Sequence, residues 1–434
     1  MTTMMQRPNP VDGCFLRYER EHQGIRPYIG VVLHASGSAP NLSVVREQVA
    51  DRIERMPTLS CKVTRQGRRT AWVADPGFDP HDHVHEIRIP EGGATLDTTV
   101  AALLGLPLPA DAPRWGVWLI HGYSDREYVL FYRAHHAAQD GQALLDAVTA
   151  LFGTGPPLSP RPAVTARAGR RPWRRRIPVR AIARTLADAA QGPALSWSTQ
   201  DTLTGGARLV SAAVPVSWLR QTGRALGASP NDVCLAALAQ ALRAWVPAGW
   251  ITADHRGRDL QVSLAVSLRE PQERFAVGNR VSAVRIPLSF WEDSPTARVA
   301  AVARATGRAR GEDMRRVLRA QLSLPESVVY RLLLQGDRMR NGLDTSGLMQ
   351  LRGRLALGQD PIETAVPTLF LHGDHPFAVA FLTYAGQVVV SFTIDRAFED
   401  VGDLAGLWAG AVERLWHESV VGSDEPTRVS APSS

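Results

Sequence analysis

The residues best suited to chemistry are His135-His136-Ala137-Ala138-Gln139-Asp140-Gly141. An imidazole titrates near neutrality without help, so it can take a proton from a hydroxyl and later return it. Placed against an acceptor alcohol, His136 would serve as general base while that oxygen attacks an activated acyl carbon, a contribution of roughly 10²–10⁴-fold. Asp140 stands four residues on, beside a glycine, and suits pinning the loop through buried hydrogen bonds better than touching substrate. His135 and Gly141 would set the geometry. The plain alternative is two histidines ending a strand and an Asp-Gly turn. Four fixed positions between two rigid elements favour the chemical reading.

Those elements are legible on both sides. Tyr128 to Tyr132 is aromatic and β-branched, as a buried strand requires. Gln142 to Phe152 places Leu144, Leu145, Val148 and Leu151 at helical spacing. The whole chain of 434 residues is long enough for two domains of about 200 residues each. Its net charge of +7 comes almost wholly from arginine, Lys62 being the only lysine. A P-loop is thereby excluded, and neither a Gly-x-Ser-x-Gly elbow nor a complete Gly-x-Gly-x-x-Gly turn occurs. Three cysteines, Cys14, Cys61 and Cys234, lack metal-ligand spacing and fit a reducing cytoplasm. No apolar run approaches the ~18 residues that span a bilayer, and no signal peptide is evident.

The His-His-x-x-x-Asp-Gly pattern resembles the condensation-domain and acyltransferase superfamily. The flanks resemble the bacterial wax ester synthase/diacylglycerol acyltransferases. Pro113-Arg114-Trp115 stands where that family has Pro-Leu-Trp, and Pro10-Val11-Asp12-Gly13-Cys14-Phe15-Leu16 looks like its opening segment. Trp72 to Pro80 resembles its Trp-x-x-Asp-Pro-x-Phe-Asp entry to a strand, Asn231-Asp232 its Asn-Asp motif, and Gly278-Asn279-Arg280 its Gly-Asn-Arg motif. The resemblance implies an α/β fold of two chloramphenicol-acetyltransferase-like halves, each a sandwich, paired as a pseudo-dimer around an active-site tunnel. It implies His136, His135, Asp140 and Gly141 as the catalytic set, with Asn279, Arg280, Asn231, Asp232 and Trp115 meeting substrate. Asn279 is the candidate donor to a developing oxyanion. For Asn231 and Asp232, ordinary helix capping is an equal alternative. Gly358-Gln359-Asp360-Pro361 replaces an expected Asn-Val-Pro-Gly segment, which leaves the substrate open.

Organisation follows from composition. Residues 1–160 form the half with the histidine motif, 161–204 an arginine-rich linker, and 205–434 the second half. Arg167 to Arg180, with Trp173 among them, suits a solvated linker or an anionic membrane surface better than nucleic acid. His81, His83 and His85 would share one side of a strand, but no further ligands accompany them and no metal is expected. In the second half, Val233 to Val246 is apolar on nearly every face, which implies burial between layers.

The function expected is ester formation from an acyl thioester and an alcohol. No cofactor is required, because acyl-coenzyme A or a carrier-protein thioester is itself a substrate. A stand-alone condensation enzyme using carrier-bound acyl groups is the second reading, with an acyl carrier protein as partner. A catalytically silent binding relative is the third. The expected location is the cytoplasm, with peripheral contact to an anionic membrane.

Overall fold

The computed structural model describes residues 6–22, 24–66, 69–156, 204, 206–246, 259–270, 273, 275–331, 343–372, 375–398 and 402–421. Its strands are β1 (Tyr28–Ser36), β2 (Cys61–Gln66), β3 (Arg69–Ala74), β4 (Val84–Arg88), β5 (Trp115–His121), β6 (Glu127–His135), β7 (Ala207–Pro215), β8 (Gln261–Ser267), β9 (Val281–Pro287), β10 (Leu343–Gln350), β11 (Ala356–Leu357), β12 (Asp360–Thr368), β13 (Phe377–Tyr384) and β14 (Gln387–Asp395). They form two six-stranded sheets, ordered β11-β12-β1-β6-β5-β4 and β7-β14-β13-β10-β8-β9.

Strands β1, β5 and β6 are largely apolar on both faces because both faces are covered. Val31, Leu33, Val117, Leu119, Leu130 and Tyr132 pack with α2 (Leu42–Arg52) and α4 (Gly141–Phe152). Val32, Ile120, Val129 and Phe131 face α3 (Leu96–Gly105) and Leu209 of β7. In the second half, the all-round apolar helix is Pro230–Trp245, enclosed by sheet and neighbouring helices. The indole of Trp408 donates to the Cys234 carbonyl at 3.1 Å, satisfying its one polar atom inside that core.

The two sheets share a pattern. Opening strand, last strand, its hairpin partner and a parallel neighbour recur as β1-β6-β5-β4 and β7-β14-β13-β10, antiparallel, antiparallel, then parallel in each. In register, His135 lies opposite Tyr28, and Asp395 opposite Ala207. The second half therefore has Asp395-Arg396 where the first has its histidines.

Two expectations change. The halves are not contiguous in sequence: β11 and β12 join the first sheet, with β12 antiparallel to β1. The second sheet opens with β7 close to the expected boundary at 205, while this later segment returns to cover the edge of β1. The three histidines do not share a strand face: Pro80–His83 is a 3₁₀ turn, His81 pairs with Asp79, and buried His83 donates to the Trp115 carbonyl. Gly358 and Gln359 form the β11–β12 turn, and Asp360 and Pro361 open β12. The linker 161–204 lies outside the described residues, apart from Thr204, which binds Asp395 at 2.8 Å through its hydroxyl. Among the described residues, no helix is long and apolar enough to cross a membrane.

Residues 1–156 expressed alone leave the edge of β1 and the apolar face of α3 uncovered. We expect this fragment to aggregate or unfold without cooperativity, and co-expression of the remainder to rescue it. A sharp urea transition of the isolated fragment would contradict the shared-sheet topology.

Candidate active site

Strand β6 ends at His135, a turn follows, and α4 begins at Gly141, so the motif occupies a strand-to-helix connection. Segments distant in sequence hold this turn from outside. Gly278 donates its amide to the Ala138 carbonyl at 2.9 Å, and Gln139 makes a parallel bridge with Gly278. Gly278 has φ +81, and a Cβ there would lie 2.3 Å from Asp12 Oδ2. Only glycine fits both the backbone conformation and the space.

His136 is oriented from two sides. Its Nδ1 lies 2.9 Å from Asn279 Oδ1, and the Phe15 ring stacks on its face at 4.2 Å and 18°. The Asn279 amide group donates to Asp12 Oδ1 at 2.8 Å and to the His136 carbonyl at 2.7 Å. Those acceptors fix which end of the amide is oxygen, so Nδ1 of His136 must carry the proton. Nε2 is then the basic nitrogen, with no hydrogen-bond partner among the described residues. Loss of solvation lowers the pKa of His136 below the ordinary imidazole value, while Asp140 and the Asn279 bond oppose the shift.

His135 takes the opposite tautomer. Its Nδ1 accepts from the Ala137 amide at 2.9 Å, so Nε2 donates to Glu19 Oε2 at 3.3 Å. The ring is fully buried, and loss of solvation pushes its pKa down to about 4, against the pull of Glu19. Burial alone would raise Glu19, but hydrogen bonds from His135 and Arg114 outweigh it and hold the carboxyl at about 2. Arg114 grips Glu19 with two nitrogens, at 2.7 and 3.1 Å. The first histidine thus fastens β6 to α1 (Pro10–Glu21).

Asp140 caps α4 through Oδ1, which accepts from Ala143 N at 2.9 Å. Its Oδ2 accepts from Arg269 Nη2 at 2.7 Å and from the Arg280 amide at 2.8 Å. Both members of the Asp140–Arg269 pair are buried. A Cβ at Gly141 would lie 2.8 Å from Met349 Sδ, so that flexible side chain would have to shift.

Several residues expected at substrate sit elsewhere. Asn279 is 0% exposed with its amide hydrogens committed to Asp12 and to main-chain carbonyls, so it orients His136 instead of meeting an oxyanion. Arg280 pairs with Glu273 at 3.0 Å and braces the loop. Asp232 completes a capping box with Ser229 and accepts from Thr306 at 2.6 Å. Trp115 is core, its indole donating to Leu59 O and its ring stacked on His83. Asn231 does line the cavity, but its Oδ1 accepts from Leu348 N at 2.8 Å and supports an irregularity in β10. The residues that sequence reasoning missed are Asp12, Phe15, Glu19 and Arg269. The opening segment carrying Asp12 and Phe15 was visible as a motif, but no spacing rule linked it to His136.

His136, Phe15, Gly141 and Met349 line a cavity of about 1570 Å³ between the two sheets. Pockets for small ligands usually hold about 300–1,000 Å³, so this one has room for two substrates. Leu144, Leu145, Ala150, Leu348 and Leu351 give it an apolar wall along α4. Arg55, Arg310, Arg315, Arg352 and Arg354 also line it.

Two outcomes follow. Asp140→Ala should cost about 3–5 kcal/mol by leaving the Arg269 charge buried without its partner, and Asp140→Ala with Arg269→Ala should cost less than the two separate losses combined; additive losses in denaturant titrations would refute the coupling. The folded pKa of His135 lies below its unfolded value of 6.5, so its neutral form stabilises the protein above pH 6.5, and this stability is lost as pH falls toward 4. The drop in Tm over that window should shrink in His135→Gln; an unchanged drop would count against it.

Residues 9–222 match the wax ester synthase/diacylglycerol acyltransferase catalytic domain. A putative diacylglycerol O-acyltransferase of Mycobacterium tuberculosis H37Rv is 25% identical over 90% of this chain and 86% of its own length. A probable diacylglycerol O-acyltransferase of the same strain is 24% identical over 95% and 96%. In fold, the chain is similar to the wax ester synthase/diacylglycerol acyltransferase of Marinobacter aquaeolei VT8, with TM-score 0.64 and 19% identity over 95% and 100% of the two chains. It is equally similar to the first condensation domain of the CDA synthetase, with TM-score 0.67 and 16% identity over 96% of each. With the histidine motif set in a strand-to-helix turn facing a cavity between two α/β halves, residues 9–222 carry a wax ester synthase/diacylglycerol acyltransferase catalytic domain, and the chain is an acyltransferase.

Proposed function

We propose that the enzyme transfers an acyl group from a thioester, acyl-coenzyme A being the donor favoured, directly to a hydroxyl acceptor, with His136 as general base. The carrying observation is the fixed tautomer: Asn279 Oδ1 holds the proton on Nδ1 and leaves Nε2 basic in a residue that lines the cavity. Nε2 takes the acceptor proton as its oxygen attacks the thioester carbon. The tetrahedral intermediate collapses with loss of the thiolate, which receives that proton and departs as free thiol. Ester formation and proton balance are then complete without a covalent enzyme intermediate.

No cysteine competes for this role. Cys14, Cys61 and Cys234 are buried, and burial pushes the Cys14 thiol up to about 12 and Cys61 up to about 11, with Cys234 higher still. A thiol must ionise to attack. The apolar wall along α4, a helix of 12 residues and so about 18 Å long, suits an acyl chain. The arginines at the cavity suit the phosphates of a coenzyme A or phosphopantetheine donor. A carrier-protein thioester is the second reading, supported by the same arginines, and peripheral membrane contact remains a proposal resting on the charge of residues 161–204.

His136→Ala should reduce turnover by at least about 10²-fold with Tm preserved; full activity would refute the base. The acid limb of kcat/KM should fall below pH 6.5, because loss of solvation lowers the His136 pKa; a limb above that value would contradict this environment. Free thiol should appear only when donor and acceptor are both present. A stoichiometric thiol burst from donor alone, with an acyl adduct by intact mass, would establish a covalent relay instead.

A further inference from the structure

The cavity contains a second polar cluster that proton transfer at His136 does not use. Asp344, near the start of β10, lies 2.8 Å from His375 Nδ1, which donates to its Oδ2. It also accepts from the Ser263 hydroxyl, and the two residues are direct partners in the parallel pairing of β10 with β8. All three line the cavity. Burial would raise the Asp344 pKa, but the neighbouring histidines and the two hydrogen bonds outweigh it and hold the carboxyl at about 2. It is a carboxylate at any working pH. With about four acceptor sites on a carboxylate, the bonds from His375 and Ser263 leave capacity for another donor.

This cluster shares its space with the catalytic histidine. The His372 ring lies 6.3 Å from His375 and 6.4 Å from Phe15, and Phe15 stacks on His136. His372 lines the cavity, and its buried Nδ1 has no hydrogen-bond partner among the described residues. A cavity holding only an alkyl chain and a single alcohol gains nothing from an ionised carboxylate in its wall. Removing such a group from water is costly, and the cost is offset when a ligand donates to it. Asp344 keeps 24% of its side chain accessible, against 7% for His375.

We propose that Asp344, His375 and Ser263 recognise a second hydrogen-bond donor, a hydroxyl or an ammonium, on an acceptor whose other hydroxyl is presented to His136. The acceptor class is thus a polyol or amino alcohol, not a simple fatty alcohol. This deepens the acyl-transfer reading and rests on it. A site built to bind a polar group discriminates strongly against analogues lacking it, because its own polar atoms are then left unpaired.

The test compares purified protein with acyl-coenzyme A and dodecanol, dodecane diols of increasing hydroxyl separation, and the matching amino alcohol. Wild type should prefer one diol or the amino alcohol over dodecanol by at least about tenfold in kcat/KM. Asp344→Asn and His375→Gln should each shrink that ratio severalfold or more, with Tm monitored so that either variant suffices if the other fails to fold. Loss confined to the diol ratio identifies a hydroxyl, and loss confined to the amino alcohol ratio identifies an ammonium. A wild-type ratio near one, an unmoved ratio in folded variants, or an equal decrease with every acceptor overturns the proposal. No ester from wild type with any alcohol would instead refute the acyl-transfer reading itself.

Discussion

The site depends on one buried carboxylate. Asp140 uses Oδ1 to start α4 and Oδ2 to bind the Arg269 guanidinium and the Arg280 amide. Three chain segments, one from the first half and two from the second, therefore meet at a single side chain. The low polarity around it makes each hydrogen bond stronger and the loss of any partner more costly. Arg269 continues the connection by donating to the Glu273, Ala276 and Gly278 carbonyls, which shapes the segment that delivers Asn279 to His136. Positioning of the base is thus an interfacial property.

Adjacent histidines have divided their work through opposite tautomers. His135 accepts from a main-chain amide and donates to Glu19, so it is spent on joining β6 to the opening helix. His136 donates to Asn279 and keeps its other nitrogen basic. Loss of solvation favours the neutral form of both rings, and for opposite uses: a neutral His135 preserves the fold, while a neutral His136 can accept a proton. Asp12, buried and shifted up to about 6 against its bonds to Asn279 and Asn9, supports the orienting amide from behind.

Repetition of the four-strand pattern places Asp395 in the second half where His135 stands in the first. Asp395 accepts from Thr204 and from the Ala397 amide, a purely structural use of the equivalent position. One half supplies the base; the other supplies the orienting asparagine, the arginine, and most of the polar cavity wall. Entry of β11 and β12 into the first sheet ties the halves together, since that sheet is not complete without both stretches of chain.

The sequence by itself determined the strand, turn and helix around His135 to Gly141, because apolar periodicity and an Asp-Gly helix start are local properties. It also identified Val233 to Val246 as a buried helix, observed as Pro230–Trp245, whose apolarity on nearly every face needs no tertiary information to interpret. Motif resemblance marked the opening segment and Gly278-Asn279-Arg280 as belonging together. Tertiary structure alone decided what each does there: Asn279 and Arg280 face away from substrate, Trp115 is core, and Asp12, Phe15 and Arg269 complete the site. The contacts of Asn279 with Asp12, Phe15 with His136 and Arg269 with Asp140 join residues more than a hundred positions apart, and hydrogen-bond direction, amide orientation and accessible space are set only when such segments meet. Strand β12, Asp-Pro-Ile-Glu-Thr-Ala-Val-Pro-Thr, carries no local signal of the sheet edge it covers, because that pairing is made with a strand more than three hundred positions away.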